Sequence, residues 1–204
     1  RAAEAGEPDI QRAALIGLGL AKRPEGVAVL LKAVQSPDAA TRLVAISALA
    51  DSGSPHALPA LATAARDVDE NVRASAVGFL AAVPAPEGTA VLIDLLHDAA
   101  LRERVVPLLS VSNEGRVAGI MAALATADEE TAPLLTSALA RMRTAEAQTA
   151  LAHAMSMSWM PARKASASAL AALRTPEAFA ILRKAAETDA DPQVRQISAV
   201  LLGQ

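Results

Sequence analysis

Four segments of the chain align without gaps: Asp38–Leu49, Asp69–Leu80, Trp159–Leu170 and Asp191–Leu202. Three of the four open on Asp, and each carries Arg at the fifth place and Leu seven residues later. The Arg register runs through Gln11, Arg42, Arg73, Arg104, Ala132, Arg163 and Arg195, at spacings of 31, 31, 31, 28, 31 and 32 residues. No other feature of the sequence constrains the fold as much. A unit this short cannot bury an apolar face alone, so it must stack on copies of itself.

A second set of segments interleaves with the first, beginning at Pro24, Pro55, Pro86, Glu114, Ala145 and Pro176. Four of the six open on Pro, which suits a first helical position because its missing N–H would have no partner there. Within them apolar residues recur at helical spacing, as at Val27, Leu30, Leu31 and Val34. Each unit therefore reads as helix A, a short turn, helix B and a second short turn. Turn signals such as Asp51–Pro55 and Pro84–Pro86 separate the helices. An acid four places before the register position is expected to cap each helix A: Glu7, Asp38, Asp69, Asp128 and Asp191. The fourth unit is three residues short. With Arg104 in register, the loss is expected in the turn between Arg104 and Glu114, and Pro107 is expected to kink the helix before it and change the curvature near 104–115.

Composition agrees with closely packed helices. There are 51 alanines, 1% of residues are aromatic, and no cysteine occurs. Alanine is the strongest helix former and is depleted in strands. With so few large rings the core must be thin, with Ala45, Ala76 and Ala167 at close helix contacts. The predicted fold is all-α, a right-handed superhelical solenoid of about six pairs. Pairs are expected to begin near residues 7, 38, 69, 98, 128 and 159, with a trailing helix at 191–204, as one domain over 1–204. Residues 1–6 read as the end of a preceding helix B. Arg1 in place of Met reads as a fragment or processed piece of a longer, Ala-rich protein.

The pattern D-x-x-V-R-x-x-A-x-x-x-L stands as Asp69, Val72, Arg73, Ala76 and Leu80, and again, with Ser198 for Ala, at Asp191, Val194, Arg195 and Leu202. It resembles the short bacterial HEAT-like repeats of the bilin-lyase type, over nearly the whole chain. Tetratricopeptide repeats fit less well, since their period is 34 residues. Some proteins with the resembled repeat are iron hydroxylases with paired His-Glu motifs. No His-Glu dipeptide occurs here, so that activity is not carried over. The bilin lyases would imply handling of a tetrapyrrole, and that is the alternative function.

Candidate chemistry is sparse. Without cysteine there is no thiolate metal site, disulfide or catalytic thiol. His56, His97 and His153 occupy different places in different units and are expected at the solvated surface. No nucleophile elbow or phosphate loop is present. Ser166, Ser168 and Ser198 read as small packing residues. A formal net charge of −3 and one Trp argue against nucleic acid as partner. No membrane span or signal peptide is visible, and a cytoplasmic location is expected. The chain is accordingly expected to be non-enzymatic, with no catalytic, cofactor or metal residues.

Two surfaces remain as partner-binding candidates. The segment Met155–Lys164 holds three of the five methionines and the single Trp, with Trp159 where other units carry an acid. Trp159 and Met160 are expected either to meet a partner or, for Trp159, to fold back over the neighbouring turn. The resemblance puts the helix B face on the concave side. One column there reads Lys32, Thr63, Asp94, Ala122, His153 and Lys184, and its neighbour reads Val29, Ala60, Val91, Ala118, Ala150 and Ile181. A smooth column flanked by mixed polar residues suits a peptide or helix from a protein partner. The expected function is a scaffold or regulatory module.

Overall fold

The computed structural model describes residues 7–83 and 86–203. Among them the chain is all-α, with thirteen α-helices and no strand. It divides into two compact units after residue 83. The first holds α1 (Pro8–Ala21), α2 (Pro24–Ala33), α3 (Ala39–Ser52), α4 (Ala57–Ala64) and α5 (Glu70–Ala82). The second holds α6 (Glu87–Leu95), a 3₁₀ turn (Ala99–Leu101), α7 (Arg102–Leu109), α8 (Arg116–Leu124), α9 (Thr131–Met142), α10 (Ala145–Ala154), α11 (Met160–Leu173), α12 (Pro176–Thr188) and α13 (Pro192–Leu202). Odd-numbered helices are the A helices of the repeat and even-numbered ones the B helices. The expected helix at residues 1–6 and most of the Pro84–Pro86 turn lie outside the described residues. Among the described residues no helix is long and apolar enough to cross a membrane.

The helix starts follow from local chemistry. Asp38, Asp69 and Asp191 cap α3, α5 and α13, their carboxylates accepting from backbone N–H groups two or three residues on. Asp128 does the same for Thr131 N at 2.6 Å. Glu7 makes no such bond. Its side chain is one methylene longer than that of Asp, which carries the carboxylate past the N–H groups that a short acid reaches. Two caps were not anticipated: Thr144 and Thr175 accept from Ala147 N and Ala178 N at the starts of α10 and α12.

Inside each unit the thin core is built from Ala and Leu. Ala45, Leu49, Ala76 and Leu80 in the first unit and Ala132, Leu135, Ala167 and Leu182 in the second are almost completely buried. Small residues set the spacing. A Cβ on Gly19 would stand 2.6 Å from the carbonyl oxygen of Ala48, so α1 and α3 touch backbone to backbone.

The fourth pair corrects the register. Arg42, Arg73, Arg163 and Arg195 each donate to the carbonyls five and six residues before them. In the fourth pair it is Arg102 that reaches back six residues, donating from Nε to Leu96 O at 2.9 Å. Asp98, four residues before Arg102, accepts from Ala100 N in the capping role. Arg102 therefore takes the place that spacing assigned to Arg104. The three missing residues are split. Pro86 to Asp98 is 12 residues where Pro55 to Asp69 is 14, and Asp98 to Glu114 is 16 where Asp69 to Pro86 is 17. The ladder also starts one place later than expected, on Arg12 rather than Gln11. Arg12 pairs with Asp38 at 3.3 Å. Pro107 is accommodated in an α7 of only eight residues, against fourteen in α1, α3 and α11.

Candidate partner-binding surfaces

The Arg and Asp columns are structural. Arg42 closes a bidentate pair on Asp67 at 2.7 and 2.8 Å while also holding Ser36 O and Pro37 O. One guanidinium thus ties two successive inter-pair turns together. Arg163 repeats the device with Asp189, Met157 O and Ser158 O, and Arg102 reaches Glu130 at 2.8 Å. The Arg42 guanidinium holds the Asp67 carboxyl below the usual carboxylate range, and Asp67 in turn raises Arg42.

On helix B, Lys32, Thr63, Asp94, Ala122, His153 and Lys184 are all exposed. The second column is not an outer one. Val29, Val91 and Ile181 are half-buried and Ala150 is buried. Successive helical residues are about 100° apart, which takes these side chains off the outward face. The outward positions come one residue earlier, at Ala28, Pro59, Ala90, Ala118, Thr149 and Ala180, all exposed. Ala118 belongs to this outward set, and Gly119 is the half-buried equivalent of Val91. The three histidines are exposed and sit on α10 and at the ends of α4 and α6. No three His, Cys, Asp or Glu side chains could share a metal ion among the described residues.

Trp159 occupies the N-cap place of α11 without a side-chain cap bond. Its indole Nε1–H donates instead to Ala127 O at 2.6 Å, in the turn that precedes α9. The residue is still 43% exposed. One edge of the ring is therefore tied to the neighbouring repeat while part of the side chain faces solvent. Met160 beside it is half-buried.

Two features escaped the sequence reading. Arg116 is completely buried and donates to Leu108 O at 3.0 Å, in the last turn of α7, and to Val111 O at 2.9 Å, just past it. Desolvation lowers its pKa. The same place in the other B helices holds Gly26, Ala57, Gly88, Ala147 and Ala178, so a lone Arg in a column of Gly and Ala was the available signal. The second feature is an open groove of about 980 Å³ on the A-helix side of the second unit. Ala140, Ala165, Ala169 and Ala172 form an apolar floor, Thr136, Ser137 and Ser168 add hydroxyls, and Arg141 and Arg143 stand at one end. A smaller depression continues it past Pro133 and Ala165 to Glu129 and Lys164.

The HEAT-repeat profile matches residues 1–81, 44–109 and 117–203. The chain belongs to the HEAT-repeat family. The HEAT-like resemblance and the all-α solenoid read from the sequence are both borne out, and the chain is a repeat scaffold. A comparison with curated proteins finds no match. Solved structures with a similar fold include the complex of CpcE and CpcF of phycocyanin lyase from Nostoc sp., 17% identical, with a TM-score of 0.49, covering 99% of this chain and 91% of that one. Human deoxyhypusine hydroxylase in complex with glycerol is 19% identical, with a TM-score of 0.41, covering 95% and 78%. An archaeal HEAT-like repeats protein from Thermococcus onnurineus is 14% identical, with a TM-score of 0.41, covering 95% and 91%. These likenesses concern the fold. They also correct the expectation of a non-enzymatic chain, because a hydroxylase and a lyase stand among the solved structures with a similar fold. Solenoid surfaces are free of packing duty, so chemistry is set by the side chains placed on them and not by the fold.

Proposed function

We propose that this HEAT-repeat chain is a scaffold or regulatory module that binds a protein partner on its helix B face. The observation that carries the reading is the contrast between two exposed columns. The outward positions Ala28, Pro59, Ala90, Ala118, Thr149 and Ala180 stay small, whereas the flanking positions Lys32, Thr63, Asp94, Ala122, His153 and Lys184 change chemistry from pair to pair. A position with a structural duty repeats its residue, as the Arg ladder does. A position that is exposed and changes between repeats is free to read out a partner. Trp159, Met160, Val29, Val91 and Ile181 complete the proposed contact set, Trp159 by its exposed ring and the aliphatic residues by the half-buried flanks of the B helices.

Charge reversal tests this. Lys184→Glu with Asp94→Lys changes only exposed side chains, so the melting temperature stays within about 2 °C of the parent, as surface substitutions do. Affinity for a protein captured from the source organism by the parent chain should fall by about tenfold, the scale of one to two lost charge contacts. Undiminished capture by the reversed chain counts against the helix B face. A visible absorbance shift on adding a linear tetrapyrrole, with no protein captured, would replace the reading with tetrapyrrole handling.

A further inference from the structure

We infer that the A-helix groove of the second unit is a docking site for an acidic peptide segment, whose carboxylates meet Arg141 and Arg143. The inference rests on the protein-binding reading but assigns a different face and a stated partner chemistry.

Five arginines of this fold close ion pairs. Arg12, Arg42, Arg73, Arg102 and Arg163 each pair with a carboxylate, on Asp9 and Asp38, Asp67, Glu70, Glu130 and Asp189 respectively. Arg141 and Arg143 form no ion pair among the described residues, and both are exposed. Both line the same groove, and no acidic residue lines it with them. Arg141 closes the last turn of α9, and Arg143 follows it as the C-cap in the left-handed region, at φ 53°. That backbone conformation is one side chains seldom adopt. Two unneutralised cations therefore stand together at one end of a trough whose floor is alanine. At the other end Glu129 and Lys164 give a balanced charge. The field along the groove has a direction, positive toward the α9 C-terminus.

Small floor residues let a backbone approach closely, and the hydroxyls of Ser137 and Ser168 can bond to an extended or helical main chain. Guanidinium pairs favour carboxylates because the planar fork matches two oxygens at once. A segment with small or aliphatic residues on one side and Asp or Glu at one end satisfies the groove in a single register. A basic or neutral segment would leave both arginines without partners.

The test is a selection of random twelve-residue peptides on the immobilised full chain, followed by fluorescence anisotropy on the recovered sequences. Recovered peptides should be enriched in Asp and Glu. Their affinity should fall by about tenfold or more in Arg141→Glu/Arg143→Glu, and weaken with added salt as exposed charge pairs do. Arg141→Gln/Arg143→Gln, a milder pair, should lie in between, and a far-ultraviolet dichroism spectrum checks that both variants fold. Ala172→Trp, at an exposed floor position, fills the groove and should abolish binding, whereas Lys184→Glu on the B face should not change it. Peptides without acidic bias, or peptides indifferent to both arginine pairs, overturn the groove assignment. If such peptides are instead lost on Lys184→Glu, the scaffold reading stands and only this inference falls. If no peptide is recovered, both fall.

Discussion

Gly19 shows how much a single residue decides here. By propensity alone, Gly19→Ala should stabilise α1, since alanine is worth about 1 kcal/mol over glycine inside a helix. The approach of Ala48 reverses the sign. The added methyl would stand 2.6 Å from a backbone oxygen and 2.8 Å from a Cα, neither of which can rotate away. The expected outcome is a net loss of about 1–3 kcal/mol, the range for overpacking a tight core, read as a lower urea midpoint at unchanged slope. A rise in the midpoint would mean that α1 and α3 can separate at little cost. Gly17, at an exposed position of the same helix, has an open Cβ position, so the sign at Gly19 rests on the approach of α3.

At the scale of the element, the fourth pair departs from the others and repairs itself. α7 is short, carries Pro107, and follows a 3₁₀ turn. Leu108 O in its last turn and Val111 O just past it are held by Arg116 from the next helix, at the place where five other pairs have Gly or Ala. Arg116→Ala should therefore cost more than an exposed arginine would. It removes a completely buried side chain and takes a donor from Leu108 O and Val111 O, of which Leu108 O keeps the Val111 N–H, a loss of about 2–5 kcal/mol. Arg116→Met keeps most of the volume and relieves the burial of a charge, so it should cost less, about 1–3 kcal/mol. Urea unfolding of the two variants measures the difference. Equal losses would assign the role of Arg116 to its hydrogen bonds and not its bulk. Sequence spacing located the irregular pair but misplaced its register, because Arg104 and Arg102 are both plausible at a shortened junction. The carbonyl that Arg102 reaches is what separates them.

For the molecule as a whole, the repeated caps and rungs make one response common to many sites. Asp67 is held below the usual carboxylate range by Arg42, Asp38 by the Thr41 hydroxyl and Asp128 by the Thr131 N–H. A depressed carboxyl favours the charged form in the folded state, so the unfolded chain binds more protons in acid. The stability these groups add is complete above the ordinary Asp value of about 4 and disappears as pH falls through the lowered folded values. The melting temperature should be level in this respect between about pH 5 and 7 and drop below about pH 4. Asp67→Asn should lower the plateau and make the acid fall shallower. An unchanged acid slope would show that Asp67 has the same proton affinity folded and unfolded.

The sequence by itself determined the repeat, the helical pairs and the family, because each pair writes the same demands: an acid before the helix, an Arg for the turn, Ala at the contact, Leu for the core. Those demands are local or repeat at a fixed interval, so one chain contains several copies of its own alignment. The tertiary structure alone decided which exposed positions form a surface. Arg141, Ser168 and Ala172 lie on different turns and helices, and they share a groove only because α9 and α11 pack side by side. It also decided that Trp159 is both anchor and exposed ring, since Ala127 O, its partner, lies 32 residues away. Periodicity reports which residues must be buried. It carries no record of which unburied residues become neighbours, and that is set by the angle and distance at which each pair stacks on the next.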